Sequence, residues 1–121
     1  MARLLVADDE ERITTLLAEE LTEVGHEVVQ VSDGATAVLQ AIENDFDCIL
    51  LDVKMPGMDG VGALRSIRKA KPNVPVIIIT AHIGEGYMFE SRRLGATDFI
   101  TKPFKLSQVR EAIDRAILKA A

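Results

Sequence analysis

The stretch Asp47-Cys48-Ile49-Leu50-Leu51-Asp52 decides the fold. Four apolar residues in a row stand between its two acids, so neither alternating set of side chains is polar. A strand with both faces covered reads this way, as in a parallel sheet flanked by helices. Cys48 is the only cysteine in the chain. Without a partner it forms neither a disulfide framework nor a thiolate metal site, and it reads as a small buried hydrophobe.

Outward from this segment, Leu4 to Ala7 and Val76 to Ile79 are similar continuous runs. Glu27 to Val31 alternates less cleanly and Asp98 to Ile100 is short, so both are expected nearer a sheet edge. Helical spacings fill the intervals. Ile13, Leu17, Leu21 and Val24 form one stripe, closed by Gly25 as a C-terminal cap. Ala35, Val38, Ala41 and Ile42 form a second, Val61, Leu64 and Ile67 a third, and Leu106, Val109, Ile113 and Ile117 the last. The stretch from Gly84 to Arg93 is weaker, because each of its two glycines costs about 1 kcal/mol of helix propensity relative to alanine. Strands alternating with helices along the whole chain predict an α/β fold: a doubly wound parallel sheet with right-handed crossovers and helices on both faces. The length suits one domain over residues 1–121.

The chain carries 19 acidic and 14 basic residues, a formal charge of -5. A nucleic-acid binder needs a basic face to neutralise phosphates, so direct nucleic-acid binding is not expected. The short run before the first acids is neither a signal peptide nor a membrane span, and a cytoplasmic protein is expected.

In an open α/β sheet, function gathers at the carboxyl ends of the strands. The first run is followed by Asp8-Asp9, the third by Asp52, the fourth by Thr80-Ala81 and the fifth by Thr101-Lys102-Pro103. Singly, each has a plain structural reading. Asp8 with Glu11 resembles a capping box, Asp52 before Pro56-Gly57 a turn residue, Thr80 a cap and Lys102 a solvated charge. Together they put three carboxylates, a hydroxyl and an ammonium on one rim. Two like charges about 4 Å apart repel by roughly 4 kcal/mol at an effective dielectric of 20. Such a rim calls for a divalent cation, a nearby ammonium or a raised carboxyl pKa. Oxygen donors favour a hard ion, magnesium over calcium, and neither His26 nor His82 has zinc-ligand spacing. A carboxylate so placed can attack a phosphoryl donor.

Those residues, with Leu50-Leu51-Asp52-Val53-Lys54-Met55-Pro56-Gly57-Met58-Asp59-Gly60 and Gly95-Ala96-Thr97-Asp98-Phe99-Ile100-Thr101-Lys102-Pro103-Phe104, resemble bacterial two-component receiver domains of the chemotaxis-regulator type. The resemblance implies a flavodoxin-like sheet of five strands in the order 2-1-3-4-5 with five helices. It implies that Asp52 accepts phosphate from a histidine kinase or phosphotransfer protein. Asp9 would ligate Mg2+ directly, Asp8 mostly through water, and Asp52 and the Lys54 backbone carbonyl would complete the protein ligands. Lys102 would pair with Asp52 and then with a phosphoryl oxygen, Thr80 would move to hydrogen-bond the phosphoryl group, and Phe99 would be an aromatic switch. Lys102-Pro103 would be a cis peptide, and Lys54 and His82 would tune dephosphorylation. The chain would be a signalling switch that assists its own phosphotransfer and autodephosphorylation, not an enzyme acting on other substrates. Output would leave through the weak helix, the fifth strand and the last helix, toward a downstream domain or protein or a second copy. Tyr87, Met88 and Phe89 are consecutive, so one of them is expected at the surface.

Other readings fit less well. A haloacid-dehalogenase-type phosphatase wants a second acid two residues after its nucleophile, where Lys54 stands. A nucleotide-binding module wants a glycine-rich loop after the first strand, where Asp8-Asp9-Glu10-Glu11 would repel phosphates. A phosphorylation-independent interaction module of the same fold remains the alternative. Loss of an acid, the threonine or the lysine would mark it, and all are present.

Overall fold

A computed structural model describes residues 1–55, 59–81 and 85–120. Its elements are β1 (Arg3–Ala7), α1 (Glu11–Glu23), β2 (Glu27–Val31), α2 (Gly34–Glu43), β3 (Cys48–Asp52), α3 (Gly60–Ala70), β4 (Val76–Thr80), α4 (Glu85–Arg93), β5 (Asp98–Thr101) and α5 (Leu106–Ala120). All strand pairings are parallel, in the order β2-β1-β3-β4-β5. The two less regular runs are the edge strands, and β3 lies at the centre.

Alternation along the strands divides the core. Leu5, Ala7, Ile49, Leu51, Val76 and Ile78 pack with Ala37 and Ala41 of α2 and Ala63, Leu64 and Ile67 of α3. Leu4, Val6, Cys48, Leu50, Ile77 and Ile79 pack with Leu17 and Leu21 of α1 and Val109 and Ile113 of α5. Successive strand residues point to opposite faces, so a strand buried on both must be apolar throughout. Cys48 is fully buried, and desolvation pushes its thiol pKa up to about 12. In the native protein it is therefore expected to resist iodoacetamide and to alkylate only on unfolding. Mass spectrometry with and without denaturant checks this; equal labelling in both would contradict it.

Gly25 closes α1 at φ 99°, with its N–H donating to the Thr22 carbonyl at 3.0 Å and that of His26 to Leu21 at 3.0 Å. Leftward turns of this kind satisfy the last carbonyls of a helix. His26, which the sequence suggests is an exposed loop residue, is half-buried, and its Nδ1 accepts the Ala2 N–H at 3.0 Å. Arg68 of α3 donates to the carbonyls of Lys71 and Val74 at 3.2 and 2.5 Å and of Gly95 at 2.8 Å. It thereby ties α3 to the loops that precede β4 and β5.

Candidate functional site

Because β1, β3 and β5 are parallel, the residues at their carboxyl ends share one rim. Asp8 follows β1, Asp52 closes β3 and Lys102 follows β5; Asp8 and Asp52 are 3% and 4% exposed. The Lys102 Nζ lies 2.7 Å from Asp8 Oδ2, 3.0 Å from Asp52 Oδ2 and 2.9 Å from Glu10 Oε1. An ammonium has three protons, and here three carboxylates face it. Asp52 is held from its other oxygen as well, since Oδ1 accepts the Lys54 N–H at 3.0 Å.

Asp8 does not cap α1. Its Oδ1 accepts the Glu10 N–H at 2.9 Å, while the helix begins after Glu10 without a side-chain cap. Burial is the largest influence on Asp8. With repulsion from Asp52, it outweighs the hydrogen bonds from Lys102 and the Glu10 N–H, and the carboxyl pKa is raised. Burial also disfavours the Lys102 ammonium, but its bonds to Asp8, Glu10 and Asp52 prevail and hold its pKa above the ordinary lysine value. Glu10, bonded to Lys102, lies below the usual glutamate range.

The other expected residues fall in varied places. Asp9 is exposed and stands outside the gathered carboxylates, whereas Glu10, which no sequence motif marks as a site residue, stands inside. Thr80 ends β4 and is buried, and its carbonyl accepts the Lys102 N–H at 3.0 Å. The Lys54 side chain is exposed. Phe99 is half-buried beside the α2–α3 core, with the Arg92 guanidinium 5.5 Å from its ring centre. Lys102-Pro103 is cis. Phe89 of the aromatic-rich run is at the surface, 70% exposed, while the Tyr87 side chain lies outside the described residues. His82, Gly84 and the motif's Pro56, Gly57 and Met58 lie outside the described residues.

Ligand oxygens of Asp8, Glu10 and Asp52 lie within 4.8 Å of one another. An anionic, all-oxygen set suits a hard divalent cation, which would also relieve the repulsion there. Beside it runs a groove lined by Glu10, Arg12, Ile13, Leu16, Ala81, Lys102, Pro103 and Phe104. No described helix is long and apolar enough to cross a membrane.

Residues 4–114 match the family model described as the response regulator receiver domain. The alkaline phosphatase synthesis transcriptional regulatory protein PhoP of Bacillus subtilis is 38% identical over 117 residues, 97% of this chain and 48% of PhoP. The transcriptional regulatory protein TcrA of Mycobacterium tuberculosis is 39% identical over 107 residues, 88% of this chain and 42% of that protein. The chain thus spans less than half the length of these two relatives. Sporulation initiation phosphotransferase F of Bacillus subtilis, 34% identical, is matched over 93% of this chain and 91% of its own length. Among solved structures, the receiver domain of the Pseudomonas aeruginosa sensor histidine kinase PA1611, which has magnesium coordinated in its active-site cleft, superposes with a TM-score of 0.88 at 31% identity, covering 96% of this chain and 97% of that one. A CheY-like receiver protein of Methanospirillum hungatei has a TM-score of 0.97 at 24% identity over 99% of this chain and 96% of its own, a likeness of fold.

Proposed function

Since the chain belongs to the response regulator receiver domain family of two-component signalling, we propose that Asp52 is its phosphoacceptor. The observation that carries this reading is a buried carboxylate at the end of the central strand, fixed between the Lys102 ammonium and the Lys54 N–H. A carboxylate oxygen of Asp52 attacks the phosphorus of a phosphohistidine on a histidine kinase or phosphotransfer protein. The new O–P bond replaces the N–P bond, and the imidazole leaves with the electron pair. Lys102 and Thr80 neutralise or hydrogen-bond the phosphoryl oxygens, which is most of what such a transfer requires. The apolar side chains Ile13, Leu16 and Phe104 in the adjoining groove give the donor protein a footing beside Asp52.

Magnesium suits an acidic, all-oxygen rim of this kind, and Asp8 and Asp52, with Asp9 and the Lys54 carbonyl, would hold it. When bound, it supplies charge neutralisation for the transferred phosphoryl group. Lys54, two residues after Asp52, and His82, two residues after Thr80, set the lifetime of the phosphoryl group. Two added negative charges bias Thr80 and Phe99 and, through them, α4, β5 and α5, where an output domain, a target protein or a second copy reads the change.

The test is intact mass after incubation with acetyl phosphate. One phosphoryl mass is expected in the presence of magnesium, with none in excess chelator and none in Asp52→Ala. An adduct that survives in Asp52→Ala would overturn the assignment.

A further inference from the structure

Lys102 is oversubscribed, and Glu10 is the partner that the phosphotransfer reading leaves without a task. Asp52 becomes the phosphorylated group and Asp8 belongs to the metal set. Glu10 sits at the mouth, its side chain 47% exposed, with Oε1 2.9 Å from Lys102 Nζ and Oε2 3.9 Å from the Arg12 guanidinium. All three Lys102 protons face carboxylates, so a phosphoryl oxygen gains the ammonium only if one of them lets go.

We propose that Glu10 is a positioning residue that holds Lys102 at the mouth of the acidic pocket and competes with the incoming phosphoryl group for it. This rests on Asp52 being the acceptor. Glu10 is suited to the task because it is the solvent-facing member of the three. Its hold is strong enough to keep Lys102 extended across the rim, yet weak enough to exchange, as exposed ion pairs are. It acts through Lys102 and touches no reacting atom. Neutralising it frees the ammonium for the phosphoryl oxygens.

The test compares wild type with Glu10→Gln, alone and combined with Lys102→Met. At saturating magnesium, Glu10→Gln is expected to take phosphate from acetyl phosphate about two- to five-fold faster, the range an exposed ion pair can carry. The gain should shrink in high salt and vanish in the Lys102→Met background. Slower or unchanged phosphorylation, or a gain that persists without Lys102, would overturn the proposal. So would a loss of magnesium affinity of about tenfold or more by calorimetry, which would make Glu10 a metal ligand. A second readout needs no phosphate: in metal-free protein, the Lys102 ammonium signal in a 1H–15N spectrum should exchange faster with water in Glu10→Gln. Unchanged exchange counts against Glu10. If wild type itself takes up no phosphate, the Asp52 reading fails, while the exchange measurement still decides the Glu10–Lys102 pairing.

Discussion

Lys102→Ala is expected to destabilise the metal-free protein by about 2–3 kcal/mol at neutral pH, because it strands two buried carboxylates. The cost stays at or below the usual figure for a broken buried pair because the Glu10 side of the site opens to water. Burial already raises the Asp8 pKa above 3.8, and loss of the ammonium raises it further. An acid with a raised folded-state pKa binds its proton more tightly in the folded chain than in the unfolded one. Its penalty is absent below the unfolded value, grows as pH rises toward the folded value, and is constant above it. The variant should therefore regain stability on acidification. In wild type the sign is reversed for Lys102, whose raised pKa contributes stability that is complete below 10.5 and is lost as pH rises through the folded value. Magnesium should stabilise the variant more than wild type, since the cation does the work of the missing ammonium. Thermal denaturation at about pH 5 and about pH 8, with and without magnesium, checks all of this. Equal melting temperatures for variant and wild type in metal-free buffer at neutral pH would contradict it.

Gly60→Ala is expected to cost about 3 kcal/mol or more and to slow phosphorylation of Asp52. Gly60 opens α3 hard against the end of β3, and its N–H donates to the Val53 carbonyl at 2.7 Å. A Cβ there would run into Val53 Cα and the Asp52 carbonyl oxygen, with the Asp52 carbonyl carbon at 2.9 Å. These are backbone atoms, so no side-chain rotation relieves the overlap. Either α3 moves out or the Asp52 peptide shifts, and the second displaces the acceptor carboxylate. Gly25→Ala is the useful contrast. Its φ is 99° and nothing lies within 4 Å of its would-be Cβ, so only left-handed backbone strain of about 1–2 kcal/mol is expected, with phosphorylation unchanged. Urea denaturation and acetyl phosphate kinetics separate the two; equal effects would contradict the packing role of Gly60.

The parts legible in the sequence were those set by periodicity and by strand direction. Cys48 to Leu51 could be read as a central strand because both its faces are apolar. Once the sheet is parallel, whatever follows each strand arrives at the same rim, which brings Asp8, Asp52 and Lys102 together. Features that depend on where a side chain turns after its strand ends were not legible. Asp8 and Asp9 are adjacent acids, yet one is buried beside Asp52 and the other faces solvent. Glu10 is one acid of the run Asp8-Asp9-Glu10-Glu11, and its pairing with Lys102 joins residues 92 apart in the chain. Nothing in the sequence marks Arg68, yet three backbone carbonyls surround its guanidinium. The carbonyls belong to loops whose paths no local pattern announces.

Chemical trapping can show whether the phosphoryl group resides on Asp52. Borohydride reduces an aspartyl phosphate to homoserine with release of phosphate, leaving a permanent mark at the acceptor. After incubation with acetyl phosphate and magnesium, reduction and peptide mapping should find homoserine at position 52. Homoserine at position 8 or 9, or in no peptide from protein that carries the phosphoryl mass, would contradict the assignment.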